Sequence, residues 1–161
     1  GGRNGVRWAG KLQVPFSGFI NARYSCCRAP TETQKMFSHV MVGVTDLEKS
    51  RQFYDALLGT LSIAPGVANK NRYFYRSPTG NFGITTPING EAACHANGGT
   101  IGFAMQSLEQ ADAFHATGLA HGGSTCEDPP GWRDNGVGKL YLAYLRDPDG
   151  NKLCALFRPA K

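Results

Sequence analysis

A handful of side chains in this sequence could do chemistry. His39 lies in the alternating stretch Phe37-Ser38-His39-Val40-Met41-Val42-Gly43-Val44. A strand there holds its imidazole on one face, as a general base or a metal ligand, or simply hydrogen-bonded at a strand edge. His95 sits in a Gly- and Asn-containing stretch, residues 89–99, where it is either a donor reaching a nearby site or a polar loop residue. Cys154 is a candidate thiolate, or a small apolar core residue, with Lys152 two positions away on the same strand face. Trp132-Arg133, in a segment stiffened by Pro129 and Pro130, sets an aromatic surface beside a cation that could clamp a carboxylate or a planar substrate. The alternative is Arg133 paired with Asp134 or Glu127 while Trp132 plugs the edge of the core. Tyr141 and Tyr144 point to opposite faces of one expected strand, so at most one faces a site, and Tyr141 is the candidate. His115 and His121 read as structural, the latter favoured by a helix C-terminus.

A repeat supplies the elements that must position these residues. Residues 37–48 are echoed 61 positions later by residues 98–109, and Phe53 falls on Phe114. Near the ends of the two copies, Arg76-Ser77-Pro78-Thr79-Gly80-Asn81 matches Arg146-Asp147-Pro148-Asp149-Gly150-Asn151. In the first copy Val40, Val42 and Val44 form one strand face, and His39, Met41 and Gly43 the other. Asp46, or Thr45 in a capping box with Glu48, starts a helix with the stripe Leu47, Tyr54, Leu57 and Leu58, and Gly59 is its expected C-cap. Strands at 73–76 and 82–86 flank a Pro-Thr-Gly turn. In the second copy Ile101, Phe103 and Met105 form the bulky face, and Thr100, Gly102 and Ala104 the small one. Ser107 and Gln110 start a helix with the stripe Leu108, Ala111, Phe114 and Leu119, and Asp147-Pro148-Asp149-Gly150 joins strands 140–146 and 152–158. Each unit is β-α-β-β(-β). The helix should cover the bulky face, and the small face should leave a ligand-sized trough.

Composition narrows the function classes. The net charge is +5, and residues 1–35 account for all of it, with six basic residues against Glu32. The rest of the chain carries eleven basic and eleven acidic residues, so no basic excess argues for nucleic acid. No apolar run approaches the roughly 20 residues of a membrane helix. Five cysteines without a C-x-x-C read as reduced thiols, which points to the cytoplasm. The organisation expected is a basic irregular leader (1–35), a first module with its linker (36–97) and a second module (98–161). For the leader, three readings stand open: sequence upstream of a natural start at Met36, a docked arm, or a targeting segment.

The strand with His39, the helix Asp46-Leu47-Glu48-Lys49-Ser50-Arg51-Gln52-Phe53-Tyr54-Asp55 and the late Asp147-Pro148-Asp149-Gly150-Asn151 resemble the vicinal oxygen chelate superfamily over residues 36–158. That group includes glyoxalase I, extradiol dioxygenases, bleomycin-resistance proteins and fosfomycin-resistance enzymes. The resemblance implies an α+β fold of two βαβββ modules around a cupped mixed sheet. It also implies a metal held from the first and last strands of each module. Carried over, those positions are His39, Ile84 (or Gly83 if the strand slips by one), Thr100 and Cys154, of which only His39 keeps a usual ligand type. A divalent ion needs about three protein ligands, so a metal cofactor is disfavoured. Two functions follow as expectations. One is a glyoxalase-like enzyme of the lyase or isomerase type, or dioxygenase-like, with His39 catalytic and Thr100, Cys154, Trp132, Arg133, Tyr141 and His95 binding substrate. The other is a non-catalytic binding or sequestration protein of the bleomycin-resistance type. The partners implied are a small-molecule ligand and a second copy of the chain in a homodimer.

Overall fold

The computed structural model describes residues 36–160 except Asn135 and Val137, so the expected leader lies outside the described residues. The first copy folds as β1 (His39–Gly43), α1 (Leu47–Gly59), β2 (Val67–Asn69), β3 (Arg72–Ser77) and β4 (Gly80–Thr85). The second folds as β5 (Ile101–Met105), α2 (Leu108–Ala120), β6 (Ser124–Thr125), β7 (Gly131–Asp134), β8 (Lys139–Arg146) and β9 (Lys152–Phe157). The sheets have the orders β1-β4-β3-β2 and β5-β9-β8-β6, with β7 also pairing β8. In each copy the first strand runs parallel to the last and the others are antiparallel. The weakly signalled strand of the repeat is three residues long in the first copy, and two short pieces, β6 and β7, take its place in the second. No described helix is long and apolar enough to cross a membrane.

Local chemistry sets the helix boundaries. The Asp46 side chain accepts from the Lys49 amide, so Asp46 is the cap of α1. Thr45 is not the cap: its hydroxyl accepts from the Ala93 amide of the linker. Gly59 is helical and Thr60 is the C-cap, with its own hydroxyl on the Leu57 carbonyl. The glycine is unnecessary there because Thr60 stays in the right-handed region (φ −64°). Ser107 caps α2, and the Gln110 side chain works in two directions, accepting from the Gln106 amide and donating to the Thr60 carbonyl at the end of α1.

The two strand faces separate as their alternation predicts. Val42, Val44, Phe82, Ile84 and Tyr75 of the first sheet and Met105, Ala143, Leu145, Leu153 and Ala155 of the second enter one buried cluster with both helices. Phe82 meets Phe103 across the two copies at 5.7 Å. Gly118 lies where the helices cross: a Cβ there would stand 2.2 Å from Leu145 Cδ1 and 3.2 Å from Leu57 Cδ1. A side chain at 118 would have to displace the buried Leu145 side chain.

The hairpin Asp147–Asn151 of the second copy docks on the first. Asp147 is 3% exposed and accepts from the Tyr54 hydroxyl (2.6 Å), the Asp149 amide (3.0 Å), and the Asn151 amide and Nδ2 (both 2.8 Å). Asp149 accepts from the Thr45 amide and the Ser50 hydroxyl, at the N-terminus of α1 where an anion is favoured. Asn151 Nδ2 also donates to the Gly43 carbonyl. Gly150 makes the turn at φ 91°.

Two outcomes follow for stability. Asp147→Ala strands several buried donors and should cost about 3 kcal/mol in urea unfolding; a loss below about 1 kcal/mol would show that the hairpin does not bind the copies together. Burial and then Asp147 raise the Tyr54 hydroxyl well above its usual value, and burial and then Asp55 raise Tyr75. A folded-state pKa above the unfolded one makes stability flat below about pH 10 and falling above it, by up to about 1.4 kcal/mol per pH unit for each group. Alkaline unfolding monitored at 295 nm should therefore be steep, and shallower in Tyr54→Phe.

Candidate functional site

The register fixes which residues share the uncovered faces. On the first sheet His39, Met41 and Gly43 of β1 lie beside Asn81, Gly83 and Thr85 of β4, and Arg72, Phe74 and Arg76 of β3 follow. On the second, Gly102 and Ala104 of β5 lie beside Cys154 and Leu156 of β9, and Leu142 and Tyr144 of β8 follow. Between the β1 and β5 sides and the linker is a cavity of about 340 Å³. Met41, Gly43, Cys94, Thr100, Ile101 and Lys152 are among its lining residues, and Lys152 is the one charged residue there. The linker closes over β1 because Ala93 bonds to Thr45; a Cβ on Gly43 would meet Ala93 at 3.4 Å.

Several expected site residues fall elsewhere. His39 is exposed at the start of β1, its Nδ1 2.9 Å from the Ser38 hydroxyl, and it does not line the cavity. Tyr141 lies on the helix-covered face, where its hydroxyl donates to Asp112 of α2; Tyr144 takes the open face. Trp132 pairs with Tyr141 and packs edge-on to Tyr141 and Phe157. Arg133 is its strand neighbour and so points to the opposite face, where its guanidinium donates to the Pro129 and Trp132 carbonyls. The expected aromatic–cation clamp does not form, because adjacent strand residues alternate. The nearest ionic partner of Arg133 is Asp128 at 4.0 Å. His95 is exposed over the hairpin, its Nδ1 2.8 Å from where a Gly150 Cβ would be. His121 bonds the Thr117 carbonyl at the end of α2, and burial lowers the half-buried His115.

Thr100 lines the cavity, whereas Cys154 is buried on the open face opposite Gly102 and outside the lining. The strand slip is decided: Ile84 is fully buried on the helix side, and Gly83 takes the open face under Met41 and Phe74. The four family positions thus present an exposed histidine, a glycine, a threonine and a buried thiol. Among the described residues no three His, Cys, Asp or Glu side chains converge to hold a metal ion. This donor set does not fit a divalent ion.

The cavity-lining residues that sequence reasoning passed over are Lys152, as a site residue, and Cys94. Lys152 pairs with Glu127, and its ammonium lies 4.8 Å from the Tyr144 ring centroid. Their only signal in the sequence was the two-residue spacing of Lys152 and Cys154; the linker placement of Cys94 left none. Burial is the main cause that pushes the Tyr144 hydroxyl up to about 12 and raises the Cys154 thiol, so both stay protonated near neutral pH. Iodoacetamide labelling mapped by peptide mass should modify exposed Cys94 at least about tenfold faster than Cys154; equal rates would mean that the β9 thiol is activated.

A family model described as the Glyoxalase/Bleomycin resistance protein/Dioxygenase superfamily matches residues 36–155. The chain is 77% identical to a glyoxalase/bleomycin resistance protein from Albidiferax ferrireducens T118, over 76% of this chain and 99% of that one, with a TM-score of 0.75. A glyoxalase-related enzyme from Fulvimarina pelagi is 20% identical, covers 76% of this chain and 87% of its own, and has a TM-score of 0.59. A glyoxalase/bleomycin resistance protein/dioxygenase family enzyme from Burkholderia phytofirmans PsJN is 15% identical over 74% and 96%, with a TM-score of 0.58. The last two share the fold. No curated protein matches the chain.

Proposed function

As the chain belongs to the glyoxalase/bleomycin resistance protein/dioxygenase superfamily, we propose that it binds a small molecule in the cavity between β1, β5 and the linker, without a metal ion. The observation that carries this reading is the cavity itself, about 340 Å³ and lined mostly by small and apolar residues beside one cation. That volume suits a small organic ligand. The enzyme reading asks His39 to lie within hydrogen-bond reach of a bound substrate, whereas His39 stands outside the lining and on Ser38.

The test is thermal shift of the full chain against bleomycin, fosfomycin, 2-oxoaldehydes and diols, with EDTA and with added Zn, Ni, Mn or Fe(II). A ligand at about 100 times its Kd stabilises by roughly 2.7 kcal/mol, and here the shift should be the same with EDTA. Gly43→Leu, which builds into the space under Ala93, should remove it, and His39→Ala should not. A shift that needs metal and disappears in His39→Ala would restore the enzyme reading.

A further inference from the structure

The uncovered face of the first sheet carries cations that no described carboxylate pairs. On β3, Tyr73 and Tyr75 face α1: the Tyr73 hydroxyl donates to Glu48, and buried Tyr75 donates to Asp55. Strand alternation therefore turns Arg72, Phe74 and Arg76 to the opposite face. Residues 36–90 hold three acidic side chains, Asp46, Glu48 and Asp55. All three belong to the cap or body of α1, where they accept from the Lys49 amide, Arg51, Tyr73 and Tyr75. The ion pairs among the described residues engage Arg51, Arg133 and Lys152, and neither Arg72 nor Arg76.

Arg72 carries the sharper signal. Its Nε is cut off from solvent and has no hydrogen-bond partner, the one side-chain polar atom so placed among the described residues. A buried donor left unsatisfied costs folding free energy, and this one belongs to a charged group. Its register neighbours, Asn69 and Thr85, are neutral. Beside it the same face is apolar. Phe74 pairs in register with Val67, which is 56% exposed. Phe74 and Met41 fill the space that a Cβ on Gly83 would take.

We propose that this face binds a small aromatic carboxylate. The carboxylate takes the Arg72 guanidinium in the planar, paired geometry that arginine offers, and the ring lies against Phe74 and Val67. Arg76, four residues along the strand and so roughly 13 Å away at the backbone, adds a second cation on the same face. A neutral ring gains the apolar contact but leaves Arg72 uncompensated, so charge decides which molecule is held. Arg72, Phe74, Arg76 and Val67 do not line the cavity, so this site and the cavity stand or fall separately.

The probes are 2-naphthoate and its neutral counterpart 2-naphthamide, titrated calorimetrically into the full chain. Naphthoate should bind saturably and naphthamide at least about tenfold more weakly, as expected for a charge-assisted contact. Arg72→Met should abolish that preference, and Arg76→Met should weaken naphthoate severalfold. Lys49→Met, which removes the same charge from an exposed position of α1, should leave naphthoate binding unchanged. Arg72→Met should melt no lower than the wild type, because it removes an orphaned donor and not a satisfied one. In proton–nitrogen NMR the Arg72 Nε–H signal, identified by its loss in Arg72→Met, should shift with naphthoate and stay in place with naphthamide. Equal affinity for the two probes, no saturable binding of naphthoate, or a naphthoate affinity indifferent to Arg72→Met would overturn the proposal. A lower melting temperature in Arg72→Met together with an unmoved Nε–H signal would assign the guanidinium to folding and overturn it as well.

Discussion

The structure depends on one buried carboxylate. Asp147 takes four hydrogen bonds in a place with almost no access to water, and one of its donors, Tyr54, belongs to the other copy of the repeat. An unpartnered carboxylate at that depth would be prohibitively costly. The hairpin therefore forms in its native shape only when α1 is present to receive it. The same hairpin sends Asp149 to the first turn of α1 and Asn151 to the end of β1. A five-residue turn thus aligns a helix, a strand and the opposite sheet together.

The remaining contacts between the copies are consistent with that alignment. Gln110 bonds the last turn of α1, Gly118 admits Leu57 and Leu145, and Phe82 meets Phe103. Each lies on the helix-covered side. The cavity lies at the seam between the copies, lined by Val40, Val42 and Ile101 as well as by Met41, Gly43 and Thr100. The linker roofs the space through a single backbone-to-hydroxyl contact, Ala93 to Thr45.

Electrostatically the site is an inversion of what its fold resembles. The positions where a metal-binding relative would place donors hold glycine, threonine and a buried thiol, and the histidine that survives is turned to solvent. A cation is nevertheless present at the cavity wall. Lys152 lines the cavity, and its ammonium lies over Tyr144 and against Glu127.

Much of the fold was legible in the residues alone. The alternation of Val40, Val42 and Val44, the caps Asp46 and Ser107, the helix stripes and the Asp147–Gly150 turn are local signals, set by backbone geometry and hydrogen bonding within a few residues. The repeat then implied two modules, and the motifs implied the family. The site was less legible because it depends on which face a strand turns inward and on contacts far apart in sequence. Trp132 and Arg133 are neighbours in the chain but point to opposite faces of β7. Tyr141 and Tyr144 divide in the same way, and a one-residue slip separates Ile84 from Gly83. The composition and spacing of this sequence determined its elements and their pairing into a repeated α+β fold. Only the tertiary structure decided that Lys152, Glu127 and Tyr144 would meet and that Cys94 would close the cavity. Those contacts bring together residues from separate strands and loops, and no local preference encodes them.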